Sequence, residues 1–369
     1  MEKTYILKKE NLGSWLLAMA KDADVFVPAE DRENSIINFF NLSRIEPELG
    51  WGREQDKPYS LNLEEKTRLS PKQIIYPQSE DLLDFSYQKN MEQLDDVEIS
   101  IAPSKTDGKQ IIFGLKPCDV QGIARLDAVF AEGVVKDSYY MDRRNNTTLI
   151  ARGCNTVYED CFCTMVEGSP YNFENADIGM YELDDDYVVN VFTEKGRQLA
   201  DKYGDFLKPA PNDADYYSKA LDDRESQSSE KINALWEGTD YKDIPEIMNA
   251  NFGAEAWKEV SKKCIGCGAC TFVCPTCYCF DIRDEKDNQQ GQRYRCWDFC
   301  TSYLYTLEAS GHNPRAELSQ RYRNKINCKY NYNYRRHGHL YCVGCGRCID
   351  VCPVNMDIRE IVGTIVKEK

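Results

Sequence analysis

Two stretches of the sequence, Cys264-Ile-Gly-Cys267-Gly-Ala-Cys270-Thr-Phe-Val-Cys274-Pro275 and Cys342-Val-Gly-Cys345-Gly-Arg-Cys348-Ile-Asp-Val-Cys352-Pro353, share one cysteine spacing. In bacterial two-cluster ferredoxins with this spacing, three cysteines of a run hold one cubane and the fourth reaches the other cluster. The glycines let backbone N–H groups turn toward sulfur without a Cβ clash. The runs therefore predict two [4Fe–4S] clusters with crossed ligand sets. These sets are Cys264, Cys267, Cys270 and Cys352 for one cluster, and Cys342, Cys345, Cys348 and Cys274 for the other.

A zinc ribbon is the alternative interpretation of these cysteines. It needs one Cys-x-x-Cys pair in each half and leaves the third and fourth cysteines of each run without a role. The insertion between Cys274 and Cys342 is far longer than in a small ferredoxin. We therefore expect the pair of runs to lie in a larger, mainly helical domain.

Composition indicates a soluble globular chain that works in a reducing compartment. The chain has 369 residues, 42% of them hydrophobic and 29% charged, and no apolar run long enough to span a membrane. Its 17 cysteines follow a start that lacks the apolar core of an export signal, so metal ligation in the cytoplasm is favoured over disulfides. The net charge of −15 disfavours nucleic acid and anionic membranes as partners.

One segment opposes this acidic trend. Residues 315–336 hold seven lysines and arginines, one glutamate and four interleaved tyrosines. Basic and aromatic residues in this arrangement can bind single-stranded nucleic acid, which the net charge disfavours. Since the segment lies between the two cluster motifs, we expect it to screen cluster charge or to contact a partner.

The order of elements along the chain predicts an α+β protein. Residues 1–209 are predicted to form a mixed α/β domain, with strands at Gln110–Leu115, Thr148–Ala151 and Tyr187–Phe192. A helix is expected over 121–130, so that a loop containing Cys118 joins strand to helix. Residues 210–244 are polar and predict a linker or an exposed helical connector. Residues 245–369 are predicted to form the mainly helical, ferredoxin-like dicluster domain.

A second group of cysteines lies in the predicted N-terminal domain. Cys118 and Cys154 each follow a predicted strand, and Cys161 and Cys163 form a Cys-Phe-Cys element. If the two strands are parallel neighbours, their carboxyl ends bring these four cysteines to one edge of the sheet. Four thiolates suffice for a third [4Fe–4S] cluster. Tetrahedral zinc and incidental buried cysteines are the alternatives.

A third group follows the first cluster run. Cys277, Cys279, Cys300 and His312 would suit a structural zinc site or an unusual cluster, with Cys296 as a competing ligand. Free thiols packed beside the dicluster core are the alternative. Cys328 has no partner that the sequence indicates.

No motif for a nicotinamide or nucleotide stands out. The sequence has no G-x-G-x-x-G after a strand, no Walker A loop and no H-E-x-x-H, and it contains three histidines. The glycines beside the cysteines belong to the cluster loops. The chain is therefore not expected to bind a nicotinamide by itself.

From about Pro71 onward, the chain resembles the iron–sulfur subunit that cytosolic sulfhydrogenases, where it is the beta subunit, share with anaerobic sulfite reductase. The resemblance rests on Pro-Cys118-Asp, Cys154 with Cys161-Phe-Cys163, Cys-Pro-Thr-Cys277-Tyr-Cys279, Trp297 with Cys300, Gly311-His312-Asn, and Cys-Val-Gly-Cys-Gly-Arg-Cys348. Cys296 and Cys328 are not part of this pattern.

The resemblance implies a non-catalytic electron relay without catalytic residues of its own. A flavin- and NAD(P)-binding subunit of the ferredoxin-reductase type is expected on one side. A catalytic or further relay subunit is expected on the other, in a hydrogenase, a sulfite reductase or a heterodisulfide-reductase-linked complex of an anaerobe. Two rival hypotheses remain: a self-contained iron–sulfur flavoprotein reductase with an unrecognised flavin site, and a scaffold whose clusters only brace the fold.

Overall fold

The computed structural model describes residues 3–50, 57–89, 97–104, 108–211, 214–234 and 243–368. The strands are β1 Lys3–Lys8, β2 Asp24–Asp31, β3 Ile36–Asn41, β4 Leu49–Gly50, β5 Tyr59–Leu61, β6 Ser79–Lys89, β7 Val97–Pro103, β8 Gln110–Leu115, β9 Thr147–Arg152, β10 Ile178–Leu183, β11 Asp186–Val191, β12 Leu207–Pro209, β13 Phe280–Asp287 and β14 Gln290–Trp297. The α-helices are α1 Leu12–Met19, α2 Leu42–Ile45, α3 Lys72–Ile75, α4 Pro117–Phe130, α5 Ser138–Asn146, α6 Glu194–Lys202, α7 Ala214–Ala234, α8 Ile244–Ala250, α9 Ala256–Ser261, α10 Ala269–Phe272, α11 Leu318–Asn327, α12 Asn333–His337, α13 Arg347–Asp350 and α14 Ile358–Lys367. The chain is thus a mixed α and β protein.

The N-terminal part is built on one mixed sheet with the order β12-β1-β11-β10-β9-β8-β2-β5-β4 and β3 paired to β2. Strand β8 runs parallel to both β2 and β9. Every residue of β8 is buried, as a short apolar run in the middle of a sheet requires. The strands predicted near residues 110, 148 and 187 are confirmed as β8, β9 and β11.

Two hydrophobic cores cover the faces of this sheet. Ile111 and Phe113 point to the core that contains Trp15 of α1. Ile112 and Leu115 point to the opposite core, which contains the apolar side of α4. The change of face in β8 occurs at Gly114, whose φ of 77° and close approach to Pro28 leave no room for a side chain.

The C-terminal part is built from the short helices α8 to α14 around a third core. Trp257, Tyr322 and Ile361 lie in this core. Phe162 and Val166, which come from the N-terminal part of the chain, belong to the same core. The division into residues 1–209, 210–244 and 245–369 stays a prediction.

The polar connector is partly visible. Residues 214–234 form α7, a helix of 21 residues, whereas 212–213 and 235–242 of the predicted connector lie outside the described residues. In the described ranges, no helix combines the length and the apolar character that crossing a membrane would need.

A β-hairpin interrupts the helices of the C-terminal part. Strands β13 and β14 pair with each other, and β14 adds to β6 of the N-terminal part to give a sheet ordered β13-β14-β6-β7. Sequence periodicity does not predict this hairpin, because both strands are polar and largely exposed, so no apolar alternation marks them. The hairpin ties residues 280–297 to the N-terminal part.

Candidate iron–sulfur centres

The structure brings the first crossed set of cysteines around one cavity. The cavity is lined by Cys264, Cys267, Cys270 and Cys352, together with Lys325. Gly266 and Gly268 have φ angles of 69° and 79°, which bend the loop back on itself. The Gly266 N–H donates to Cys264 Sγ at 3.4 Å, and the Met356 N–H donates to Cys352 Sγ at 3.2 Å. Backbone donors to sulfur are among the features that tune iron–sulfur clusters.

The second crossed set is more deeply buried. The charge of Cys274 acts on each of Cys342, Cys345 and Cys348, although Cys274 belongs to the other run. Burial raises the pKa of Cys342 to about 12, so this thiol would keep its proton unless a metal displaced it. The hydroxyl of Thr276 lies 3.3 Å from Cys274 Sγ. The geometry therefore groups the four cysteines that the ferredoxin spacing predicts.

The N-terminal cysteines reach one edge of the large sheet by the expected route. Strands β8 and β9 are parallel neighbours, and Cys118 and Cys154 come just after their carboxyl ends. One detail differs from the expectation, because Cys118 lies in the first turn of α4 rather than in a loop. Helix α4 begins directly at Pro117, whose fixed φ suits the first helical position.

Electrostatics links all four members of this N-terminal group. Burial raises the pKa of Cys154 to about 11, and Cys161 acts on it as a neighbouring thiol. Burial also raises the pKa of Cys163, with Cys154 and Cys161 as its nearest charged neighbours. Burial raises the pKa of Cys118 far above its ordinary value, and its neighbours include both Cys154 and Cys345. Cys118 therefore lies between the N-terminal group and the second ferredoxin run.

Direct packing joins these two groups of cysteines. The Phe162 N–H donates to the Gly344 carbonyl at 2.9 Å. A Cβ on Gly344 would lie 2.4 Å from the backbone nitrogen of Cys163. Lys66 pairs with Asp160 and reaches the Cys345 carbonyl at 3.4 Å. The loop carrying Cys161 and Cys163 is thus seated on the loop carrying Cys342 and Cys345.

A buried ion pair holds the same junction from the other side. The Arg347 guanidinium donates to both carboxylate oxygens of Asp119, at 2.6 and 3.0 Å, and to the Thr67 carbonyl at 2.7 Å. Both charged side chains are 1% exposed. A bidentate pair with further hydrogen bonds is the arrangement in which a buried ion pair is tolerated. Arg347 lies between Cys345 and Cys348, so the pair fixes this loop relative to α4.

The third predicted group is brought together only in part. Cys277 and Cys300 are 8% and 6% exposed, and the thiols of Cys279 and Cys300 are hydrogen-bonded to each other. His312 is exposed in a turn, where its carbonyl accepts from the Glu308 N–H. Cys296 lies in β14, opposite Asp281 of β13. Whether Cys277, Cys279, Cys300 and His312 bind a metal stays a prediction.

Three buried lysines surround these cysteines, and the sequence did not place any of them beside a particular thiol. Lys325 contacts Cys270 Sγ, and Lys329 donates to Thr276 Oγ1 at 2.7 Å. Lys72 donates to the Cys277 carbonyl at 2.9 Å and lies 3.9 Å from the ring centre of Trp297. The basic segment 315–336 offered a signal for Lys325 and Lys329, whose placement agrees with charge screening. Lys72 is a single lysine before a short apolar run and gives no such signal.

The donor set fits iron–sulfur clusters better than single metal ions. Over the described ranges, no three histidine, cysteine, aspartate or glutamate side chains converge on the position of one ion. A cubane separates its cysteine ligands by its own width, whereas zinc draws four ligands to one point at about 2.3 Å. The thiols form groups of four, buried beside ammonium groups that favour negative charge.

Comparison with known proteins gives the same identification. A family model described as a 4Fe-4S dicluster domain matches residues 263–356, which include both ferredoxin-pattern runs. Sulfhydrogenase 2 subunit beta of Pyrococcus furiosus is 31% identical over 260 residues, or 70% of this chain and 75% of that protein. The F420-dependent formate dehydrogenase subunit beta of Methanocaldococcus jannaschii is 24% identical over 174 residues, which cover 47% of this chain and 37% of that protein. No solved structure matches the chain significantly.

These comparisons confirm the resemblance drawn from the cysteine pattern. The dicluster match supports [4Fe–4S] clusters, and both relatives are named as beta subunits of redox enzymes. The chain belongs to the family of iron–sulfur beta subunits that includes this sulfhydrogenase subunit.

Proposed function

We propose that the chain relays single electrons between a flavin- and NAD(P)H-binding subunit and a catalytic or further relay subunit of a cytoplasmic oxidoreductase complex in an anaerobe. The terminal enzyme would be a hydrogenase, a sulfite reductase or a heterodisulfide-reductase-linked enzyme. The observation that supports this most is the contact between the loops at 160–163 and 342–346, which makes the cysteine groups one continuous series.

The proposed ligands are the eight ferredoxin-pattern cysteines and the N-terminal four, which would hold a third [4Fe–4S] cluster. When bound, such clusters supply one-electron exchange at potentials set by charge, hydrogen bonds and exposure. The protein's own part is to bury the thiols, to place cations beside them and to hold the groups next to one another.

The two ends of this series differ in exposure. Cys267 is exposed, and its neighbour Ile265 is 63% exposed, so the first ferredoxin site lies close to the surface. Cys342, Cys345 and Cys348 in the middle are at most half-buried as whole residues, but none of them is exposed. A relay needs an exposed terminus, because electrons must leave to a partner. Cys267 thus marks a surface where one partner subunit would dock.

The relay function can be tested on the isolated chain under anaerobic conditions, by following bleaching of the visible absorbance. Dithionite should bleach the chain, whereas NADH and NADPH should not, because no nicotinamide motif is present. Adding the cognate flavoprotein should restore bleaching by the nicotinamide. Prompt bleaching by NADH or NADPH alone would favour the self-contained flavoprotein. Failure of dithionite to bleach an iron-loaded chain would favour the scaffold.

The third cluster has its own test in Cys118→Ser. This change removes one thiolate from the N-terminal group, so iron should fall by about four atoms per chain, the content of one cubane. The paired-cluster signal in electron paramagnetic resonance should persist, because the eight ferredoxin-pattern cysteines remain. Unchanged iron content would remove the third cluster and leave the relay function standing.

A further inference from the structure

A fourth group of thiols lies beside the second ferredoxin site and has no role in the relay described above. Cys277 and Cys300 are almost inaccessible, and the Cys279 thiol is hydrogen-bonded to Cys300. Cys277 is also an electrostatic neighbour of Cys300. Three thiols from two separate segments, 277–279 and 300, therefore meet in the interior.

Cys328 joins this group through an irregular helix. Residues Cys328–Tyr332 form a π-helical turn between α11 and α12, a rare geometry that is frequent at functional sites. The turn places Cys328 near Cys279, which is among its electrostatic neighbours. The Asn333 side-chain amide donates to Cys328 Sγ at 3.2 Å. A hydrogen bond to sulfur favours the thiolate form that a metal requires.

Two buried ammonium groups face the same thiols without carboxylate partners. Lys329 is 3% exposed, and its electrostatic neighbours are Cys274, Cys277 and Cys328. Lys72 is 2% exposed and contacts the Cys277 and Thr271 carbonyls and the Trp297 ring.

Other buried cations of the described chain are paired differently. Arg347 is paired with Asp119, and Arg295 and Arg143 share Glu80. In the part of the chain that the structure describes, no carboxylate forms an ion pair with Lys72 or Lys329. A buried charge without a counter-charge is costly, so these ammonium groups require an anion at the thiols.

We propose that Cys277, Cys279, Cys300 and Cys328 hold an additional iron–sulfur centre whose negative charge compensates Lys72 and Lys329. The inference rests on the proposed relay function, which it extends by one centre next to the second ferredoxin site. It also revises the ligand set suggested by sequence, since Cys328 takes the place of the exposed His312. A mononuclear zinc site is disfavoured, because no three potential ligands among the described residues converge on one ion.

The experiment compares Cys300→Ser with Cys296→Ser after anaerobic reconstitution with iron and sulfide. Cys296 is a matched control, because it is a half-buried cysteine of the neighbouring strand β14 that lies outside the proposed ligands. Cys300→Ser should lose about two or four iron atoms and as many sulfides per chain, the content of a four-cysteine centre. Cys296→Ser should retain the full content.

A second variant guards against misfolding, and further readouts separate this inference from the relay. Cys328→Ser should lose the same amount of iron as Cys300→Ser, whereas His312→Ala should lose none. In both cysteine variants, dithionite should still produce the paired-cluster signal of the two ferredoxin sites. Iron equal to that of the unmodified chain in both cysteine variants would overturn the inference, and so would stoichiometric zinc lost from them. Absence of the paired-cluster signal from the unmodified chain would instead overturn the relay function.

Discussion

Replacing Lys325 by methionine should lower the reduction potential of the first ferredoxin site. The Lys325 ammonium contacts Cys270 Sγ and lines the cavity shared by Cys264 and Cys352. The lysine is 5% exposed, so water screens its charge poorly. Reduction adds a negative charge to the site, and a nearby cation stabilises the reduced form more than the oxidised form. Methionine keeps most of the volume and removes the charge.

The size of the shift follows from Coulomb's law. One added charge at about 6 Å from the ammonium, in a medium with an effective dielectric constant of about 20, gains about 3 kcal/mol. Since 1.4 kcal/mol corresponds to about 59 mV for a one-electron couple, the potential should fall by about 120 mV. Water or side-chain rearrangement around the methionine would reduce this value, so we expect a fall on the order of 100 mV.

The assay is a redox titration followed by electron paramagnetic resonance, which reports each reduced site separately. Lys262→Met serves as the control, because Lys262 lies two residues before Cys264 but its side chain is 66% exposed. The control should shift the potential by less than about 20 mV, as screening by salt predicts. A Lys325→Met shift as small as the control, or a shift to higher potential, would refute the reasoning.

The remaining predictions concern the junction between the two parts of the chain. Gly344→Ala should displace the loop at Cys163 and lower the iron content, because its Cβ would lie 2.4 Å from a backbone nitrogen at a φ of 63°. Gly363→Ala is the control, since nothing lies within 4 Å of a Cβ there, and helix propensity should make it neutral or stabilising by about 0.5–1 kcal/mol. Equal iron in both variants would contradict the proposed seating of the loop. Arg347→Met should lower the free energy of unfolding by about 3–5 kcal/mol, because it leaves Asp119 buried and unpaired. Denaturant titrations followed by cluster absorbance measure this loss, and a change below about 1 kcal/mol would mean that the pair is not buried in solution.

Local patterns in the sequence predict much of the site. Cys118 and Cys154 each follow a strand, and the parallel pairing of β8 and β9 brings them to one edge, as expected from two apolar runs alone. The glycines of the two ferredoxin runs have the positive φ angles that their motif requires. These features depend on the backbone conformation of a few neighbouring residues, which local sequence determines.

Contacts between distant segments could not be predicted in this way. Nothing in the residues around Phe162 indicates that it packs in the C-terminal core, and nothing around Lys72 indicates that it lies against Trp297. The hairpin β13–β14 escapes notice because it is polar on both faces. His312 follows Cys300 closely in sequence, yet it ends in an exposed turn, because closeness along the chain does not fix where a side chain points.

The seating of the 160–163 loop on Gly344 also sets an order of events during biosynthesis. Cys163 leaves the ribosome about 180 residues before Gly344, which at about 5–20 residues per second means about 10 to 40 s. Throughout this interval the N-terminal thiols lack the loop that covers them. They are then open to oxidation and to the wrong metal. Cells making this protein must therefore either protect these thiols or delay cluster delivery until the last residues of the chain have been added.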